Sequence, residues 1–160
     1  LLGGIDVYLD RPFTENEQFS GEFLIDLPAG KNHLNGSTTL YFVRSRYATS
    51  DFDRARRQQM VLLAIRNKAL GLGVLGNPVK IYQILDSIGR NVRTDIGLDE
   101  AKDLLDFIKS ADQKQVIHKV FDTTPAGLLY ASKSDTGAYI LLPVGDNYAK
   151  IKEAARNIFK

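Results

Sequence analysis

The stretch DFDRARRQQMVLLAIRNKAL, residues 51–70, carries the strongest helical pattern in the chain. Asp51 or Asp53 can cap its start, good helix formers fill it, and Gly71 stops it. On a helix beginning at Asp51, Arg54, Arg57, Gln58, Val61 and Ile65 share one face. The far end of that face is apolar and is expected to meet a core. Its first turns carry two guanidiniums and an amide instead, so they belong at the rim of the core or along a cleft. Arg56 lies off this face and is expected in water.

Upstream, residues 4–9 read as a short strand in which Ile5, Val7 and Leu9 alternate with polar or amphipathic neighbours. Residues 11–21 read as a polar loop, 22–27 as a second strand, and 30–36 as a turn-like cluster of Gly, Asn and His. Ser37 or Thr38 is expected to cap a short helix running to about Val43. Downstream, helices are expected over 78–88 and 98–110, the latter with acids early as the helix dipole prefers. Strands are expected over 115–121, 127–132 and 138–142, and a closing helix over 148–159. Strands, then helices, then strands and a helix imply a mixed α/β (α+β) fold, a central mixed sheet flanked by helices.

The length of 160 residues suits one domain, residues 1–160, with a motif-bearing part (1–110) and closing strands and helix (111–160). A net charge of +2 is too small for a surface that coats nucleic acid generally, so distribution matters more than the sum. Of ten arginines, five (Arg44, Arg46, Arg54, Arg56, Arg57) fall within fourteen residues, opposed there only by Asp51 and Asp53. Without cysteine, disulfides and thiolate metal sites are excluded. No apolar run approaches the ~20 residues of a membrane span, and the chain opens on Leu-Leu-Gly-Gly, as a trimmed or processed fragment would.

Guanidinium is permanently charged, and its planar fork matches phosphate oxygens two at a time. A helix N-terminus adds free N–H groups and a positive dipole end. Residues 41–59 therefore read as an anion site for phosphate or pyrophosphate. The alternative is that these arginines pair with Asp51, Asp53 and glutamates or sit in water, and physics alone leaves both readings open.

Four elements in order, Gly3-Gly4-Ile5-Asp6-Val7, Leu34-Asn35-Gly36, Tyr41-x-x-Arg44-x-Arg46 and Asp51-x-x-Arg54-x-x-Arg57-Gln58-Gln59, resemble the signature of the LytR-CpsA-Psr family. The resemblance covers residues 1–105, and more loosely the rest. It implies a membrane-anchored bacterial enzyme on the extracytoplasmic face of the cell membrane. Such enzymes move a glycopolymer (teichoic acid or capsule) from a polyprenyl-pyrophosphate carrier to peptidoglycan, forming a phosphodiester with a divalent cation, Mg or Mn. It also implies that Arg44, Arg46, Arg54 and Arg57 hold the pyrophosphate and that Gln58 bonds a phosphate or locks an arginine. Asp51 and Arg54 are the expected catalytic pair, Asp51 orienting Arg54 rather than moving a proton, since a carboxylate among guanidiniums stays ionised. The polyprenyl tail needs an apolar channel, for which residues 61–88 offer side chains, although these also suit a core. The family's domain normally begins earlier, with further strands and the acids associated with the metal. The chain is therefore expected to be the C-terminal part of the domain, without metal ligands and with little transferase activity alone.

Other signals are set aside. Gly71-x-Gly73-x-x-Gly76 matches the dinucleotide pattern literally but follows a helix rather than a strand. Asn35-Gly36-Ser37 fits the glycosylation triplet by chance. His33 and His118 lack partner spacing for zinc or a triad, and Tyr139 reads as a packed strand aromatic. The rival class is a non-catalytic binding module for anions, glycan-lipids or nucleic acid, resembling a transcriptional regulator. Against nucleic acid, no helix-turn-helix pair is visible.

Overall fold

A computed structural model of the chain describes residues 2–16, 23–46, 49–71, 77–91 and 117–159, together with 97, 100 and 103. The chain divides into two compact units, Leu1–Lys114 and Gln115–Lys160. The mixed α/β class expected from the sequence is the one adopted.

In the first unit, β1 (Ile5–Leu9) pairs antiparallel with β4 (Gly30–Leu34), and β2 (Phe13–Asn16) with β3 (Phe23–Leu27). Since Leu9 faces Gly30 and Phe13 faces Leu27, the four strands make one long hairpin broken at its middle. Pro12 and Pro28 lie at the break, where neither can donate to a ladder. Two segments read from the sequence as loop and turn are thus strands. In β2 only Phe13 and Glu15 turn inward, too short an alternation to stand out from a polar run. In β4 the buried Asn32 amide donates to Pro28 O (2.8 Å) and Gly30 O (3.1 Å), so a residue typical of turns serves as strand anchor. Gly30 has φ +98°, a conformation that costs glycine nothing. His33 sits opposite Asp6, with Nδ1 2.6 Å from that carboxylate and Nε2 3.1 Å from Gly3 O. It is a cross-strand staple.

Helix α1 (Gly36–Arg44) is capped by Asn35, whose Oδ1 accepts from Thr38 N–H at 2.9 Å, in place of the expected Ser37 or Thr38. Asn35→Ala is expected to lower stability by about 1 kcal/mol, read as a shift of the urea midpoint with an unchanged slope. Helix α2 (Asp51–Gly71) is capped by Ser50, not by an aspartate of its own. Ser50 Oγ accepts from Asp53 N–H at 3.2 Å while Asp53 Oδ2 reaches back to the Ser50 N–H at 3.3 Å, a reciprocal box. Helix α3 (Pro78–Asn91) lies where the pattern placed it. The helix expected over 98–110 lies outside the described residues, apart from helical Glu100 and Asp103. Gly73 and Gly76 lie outside them too.

The core gathers Ile5, Val7, Leu9, Phe13, Ile25, Leu27, Leu34, Phe42 and Val61, with Met60 and Ala64 against it. Helix α2 packs on β1 and α1, and α1 on β3 and β4. The buried seam of α2 runs through Arg57 and Val61, whereas Ile65 is exposed, so the helix is rotated from the face read in the sequence.

In the second unit, β5 (Leu129–Lys133) and β6 (Tyr139–Pro143) form a hairpin, followed by α4 (Ala149–Arg156). Of the strand expected over 115–121, the described residues 117–121 have no regular structure. There Asp122 makes a turn instead, its Oδ1 accepting from Thr124 N–H and Oγ1 at 3.1 and 2.7 Å. Tyr139 is exposed rather than packed. Among the described residues the strands form three two-stranded ladders, not one central sheet.

Candidate functional site

The C-terminus of α1 and the first turns of α2 bring the arginine segment together. A helix ends with carbonyls that lack an internal partner, and in α1 the next helix supplies the donors. Ser45 N–H reaches Tyr41 O at 3.0 Å. Arg57 Nε donates to Phe42 O at 2.8 Å, and Gln58 Nε2 to Val43 O at 3.5 Å. Arg57 continues with Nη2 to Ser45 O (2.7 Å) and Nη1 to Thr49 Oγ1 (2.5 Å). Its guanidinium carbon stands 4.7 Å from the centre of the Phe13 ring and 5.7 Å from that of Phe42, which meet each other edge to face. Arg57 is 6% exposed, and burial pulls its pKa below the ordinary arginine value, opposed by the charges of Asp53 and Glu15. Arg57, expected to hold the pyrophosphate, and Gln58, expected to bond a phosphate or lock an arginine, direct these nitrogens to α1 and the loop after it.

The other arginines look outward. Arg44 ends α1 and is exposed, as is Arg46 one residue past Ser45. Asp51 Oδ1 lies 3.0 Å from Arg54 Nη1 and 3.8 Å from Arg46 Nε, so one carboxylate oxygen gathers two guanidiniums. Arg46 and Asp51 are well exposed, so this pairing adds little to stability and a stronger anion can displace it. Arg56, expected in water, pairs with Asp53 at 2.9 Å. The Ser50 hydroxyl, aided by Arg56, holds the Asp53 carboxyl below its usual pKa against a smaller opposing effect of burial. A carboxyl lowered by folding stabilises above its unfolded pKa of about 4, and that contribution fades as pH falls through the folded value. The stability gap between the protein and Asp53→Asn is therefore expected to shrink in urea melts as pH drops from about 6 to about 2.

On the Asp53 flank of α2 a cleft of about 880 Å³ opens toward the β1–β2 connection. Phe13, Phe42 and Met60 supply much of its apolar lining, and Asp10, Arg11, Asp53, Arg56 and Arg57 its charge. Arg11 was missed in the sequence, where it stands alone in a polar run; only the fold places it across from α2. Among the described residues, no group of three or more His, Asp and Glu side chains is arranged to hold a metal. Asp51 and Asp53 both face guanidiniums. These residues do not fit a divalent-cation site. Among the described residues no helix is long and apolar enough to cross a membrane.

The sequence profile of the LytR_cpsA_psr family matches residues 1–157. The chain is 28% identical over 155 residues to the cell wall biosynthesis protein LcpA of Corynebacterium glutamicum, covering 96% of this chain and 28% of that protein. It is 35% identical over 106 residues to the polyisoprenyl-teichoic acid–peptidoglycan teichoic acid transferase TagT of Bacillus subtilis, covering 65% and 32%. The chain thus spans about a third of the length of these relatives. Among solved structures, an Enterococcus faecalis protein described as a transcriptional regulator aligns with TM-score 0.66 and 27% identity, over 99% of this chain and 52% of that one.

Proposed function

The chain belongs to the LytR_cpsA_psr family, and on that premise we propose that it handles the pyrophosphate of a polyprenyl-linked glycopolymer on its way to peptidoglycan. The reaction is phosphoryl transfer at the extracytoplasmic face of the cell membrane. A peptidoglycan hydroxyl attacks the glycan-bearing phosphorus, the phosphoanhydride bond breaks, and polyprenyl phosphate leaves. The hydroxyl proton passes to solvent, and the glycan stays joined through a phosphodiester. The observation that carries this reading is the arrangement around Ser45. Two exposed arginines flank a fixed residue, and Asp51 draws a third, Arg54, beside Arg46.

Phosphoryl transfer asks mainly for positioning and for positive charge at oxygens that gain negative charge. Arg44, Arg46 and Arg54 supply that charge as forks able to take two oxygens each. Asp51 orients Arg54 until the pyrophosphate takes its place. Arg57 and Gln58 hold the end of α1 so that the forks stay aimed. The polyprenyl tail would lie on apolar side chains, of which Leu62 on α2 and Val79 and Tyr82 on α3 are exposed.

Binding of a short-chain polyprenyl pyrophosphate, weakened by Arg44→Ala or Arg54→Ala, is the expected result. Steeply salt-dependent binding to duplex DNA without pyrophosphate binding would instead favour a nucleic-acid module.

A further inference from the structure

We propose that Glu15 is a positioning residue for the pyrophosphate site: its buried carboxylate grips Ser45, and through Ser45 it sets the directions of Arg44 and Arg46. The inference rests on the functional reading above. It begins from a side chain in an unexpected place. Glutamate on a short strand normally faces water, yet Glu15 is 4% exposed, on the inward side of β2 with Phe13. A buried carboxylate is costly unless it is paired and hydrogen-bonded. Here Ser45 Oγ donates to Glu15 Oε2, and Arg57 lies close enough for the Glu15 charge to act on it.

Ser45 is thereby held at three points. Its N–H donates to Tyr41 O (3.0 Å), its carbonyl accepts from Arg57 (2.7 Å), and its hydroxyl donates to Glu15. The two residues on either side of this clamp are the exposed arginines. Fixing the φ and ψ of Ser45, −49° and 131°, fixes how the chain leaves α1, and so the relative directions in which Arg44 and Arg46 leave the backbone. A merely structural need at position 15 would be met by an apolar residue, which buries at lower cost. Across thirty residues, the carboxylate accepts from the hydroxyl of the one residue between Arg44 and Arg46. A site held this way keeps its geometry when the ligand arrives and loses less freedom on binding.

The test uses the full 160-residue chain with inorganic pyrophosphate as the probe, by isothermal titration at low salt. Glu15→Gln and Ser45→Ala are measured singly and together, each at a temperature where circular dichroism shows the native fold. Each single variant is expected to weaken pyrophosphate binding about 5- to 20-fold, the double being no weaker than the weaker single. Amide exchange at residues 44–46 should quicken in each. A merely structural role would lower the urea midpoint and leave the affinity of the folded protein unmoved. Folded Glu15→Gln with wild-type affinity overturns the proposal, as does a fully additive double variant. If Glu15→Gln does not fold, Ser45→Ala alone decides by the same affinity. If the unaltered chain itself does not bind pyrophosphate, the functional reading fails and the proposal with it. Binding by the unaltered chain with no effect of either variant fails the proposal alone.

Discussion

Arg57→Ala is expected to cost the first unit about 3–5 kcal/mol, the range seen when one partner of a buried charged network is removed. Three effects combine. Phe42 O and Ser45 O lose the donors supplied by one side chain, and the site is buried enough that water does not replace them freely. The buried Glu15 carboxylate loses a nearby cation. The Phe13–Phe42 pair loses the guanidinium stacked on it. Arg57→Lys keeps the charge, but an ammonium cannot meet the Phe42, Ser45 and Thr49 acceptors with the geometry of a planar fork. It should fall between, at about 1–3 kcal/mol. Urea unfolding followed by circular dichroism measures both. A loss below about 1 kcal/mol for Arg57→Ala would show that this guanidinium does not organise the segment. With total stabilities of roughly 5–15 kcal/mol in domains of this kind, the expected loss is a large share.

Arg44→Ala and Arg46→Ala are expected to do the opposite: little to stability, much to binding. Both side chains are exposed, so the fold should change by no more than about 0.5 kcal/mol. A charge-assisted hydrogen bond to phosphate is worth about 1.5–3 kcal/mol, so each substitution should weaken pyrophosphate binding about 10- to 100-fold. Arg46→Ala also frees Asp51 to pair wholly with Arg54, so the double variant Arg46→Ala Asp51→Asn should recover part of the loss. Arg56→Ala, paired with Asp53 on the other flank, is the control and should change affinity less than about 3-fold. Equal losses across Arg44, Arg46 and Arg56 would mean diffuse charge rather than a site.

These predictions divide an arginine row that looked uniform in sequence. Helical spacing put Arg54, Arg57 and Gln58 on one face, and the family signature joined them to Arg44 and Arg46. What spacing could not show is where α1 ends relative to α2. The unpaired carbonyls of Phe42 and Val43 take up Arg57 and Gln58, and only the packed pair of helices reveals it. Ile65, read onto the same face, is exposed because the side of α2 turned to the core runs through Arg57, Met60, Val61 and Ala64.

The strand pattern was legible where apolar residues alternate, as at Ile5, Val7 and Leu9. It was lost where the inward residue is polar. Glu15 and Asn32 are both buried; Glu15 is satisfied by Ser45, which only tertiary structure brings near, and Asn32 by the carbonyls of Pro28 and Gly30 in the bend just before it. Arg11 illustrates the same limit from the solvent side. Nothing next to it in sequence marks it, yet it lines a cleft with Arg56. Local propensity also misplaced both caps by one to three residues, since Asn35 and Ser50 lie just outside the periodic runs.

The central claim is that the exposed arginines around Ser45 hold the pyrophosphate of a lipid carrier. Fluorescence or calorimetric titration of the chain with a short-chain polyprenyl pyrophosphate, beside the corresponding polyprenyl alcohol, tests it most directly. Saturable binding of the pyrophosphate is expected, competed by inorganic pyrophosphate, at least 10-fold weaker for the alcohol, and lost in Arg44→Ala Arg54→Ala. Equal binding of the two lipids, or pyrophosphate binding unchanged in that double variant, would contradict it.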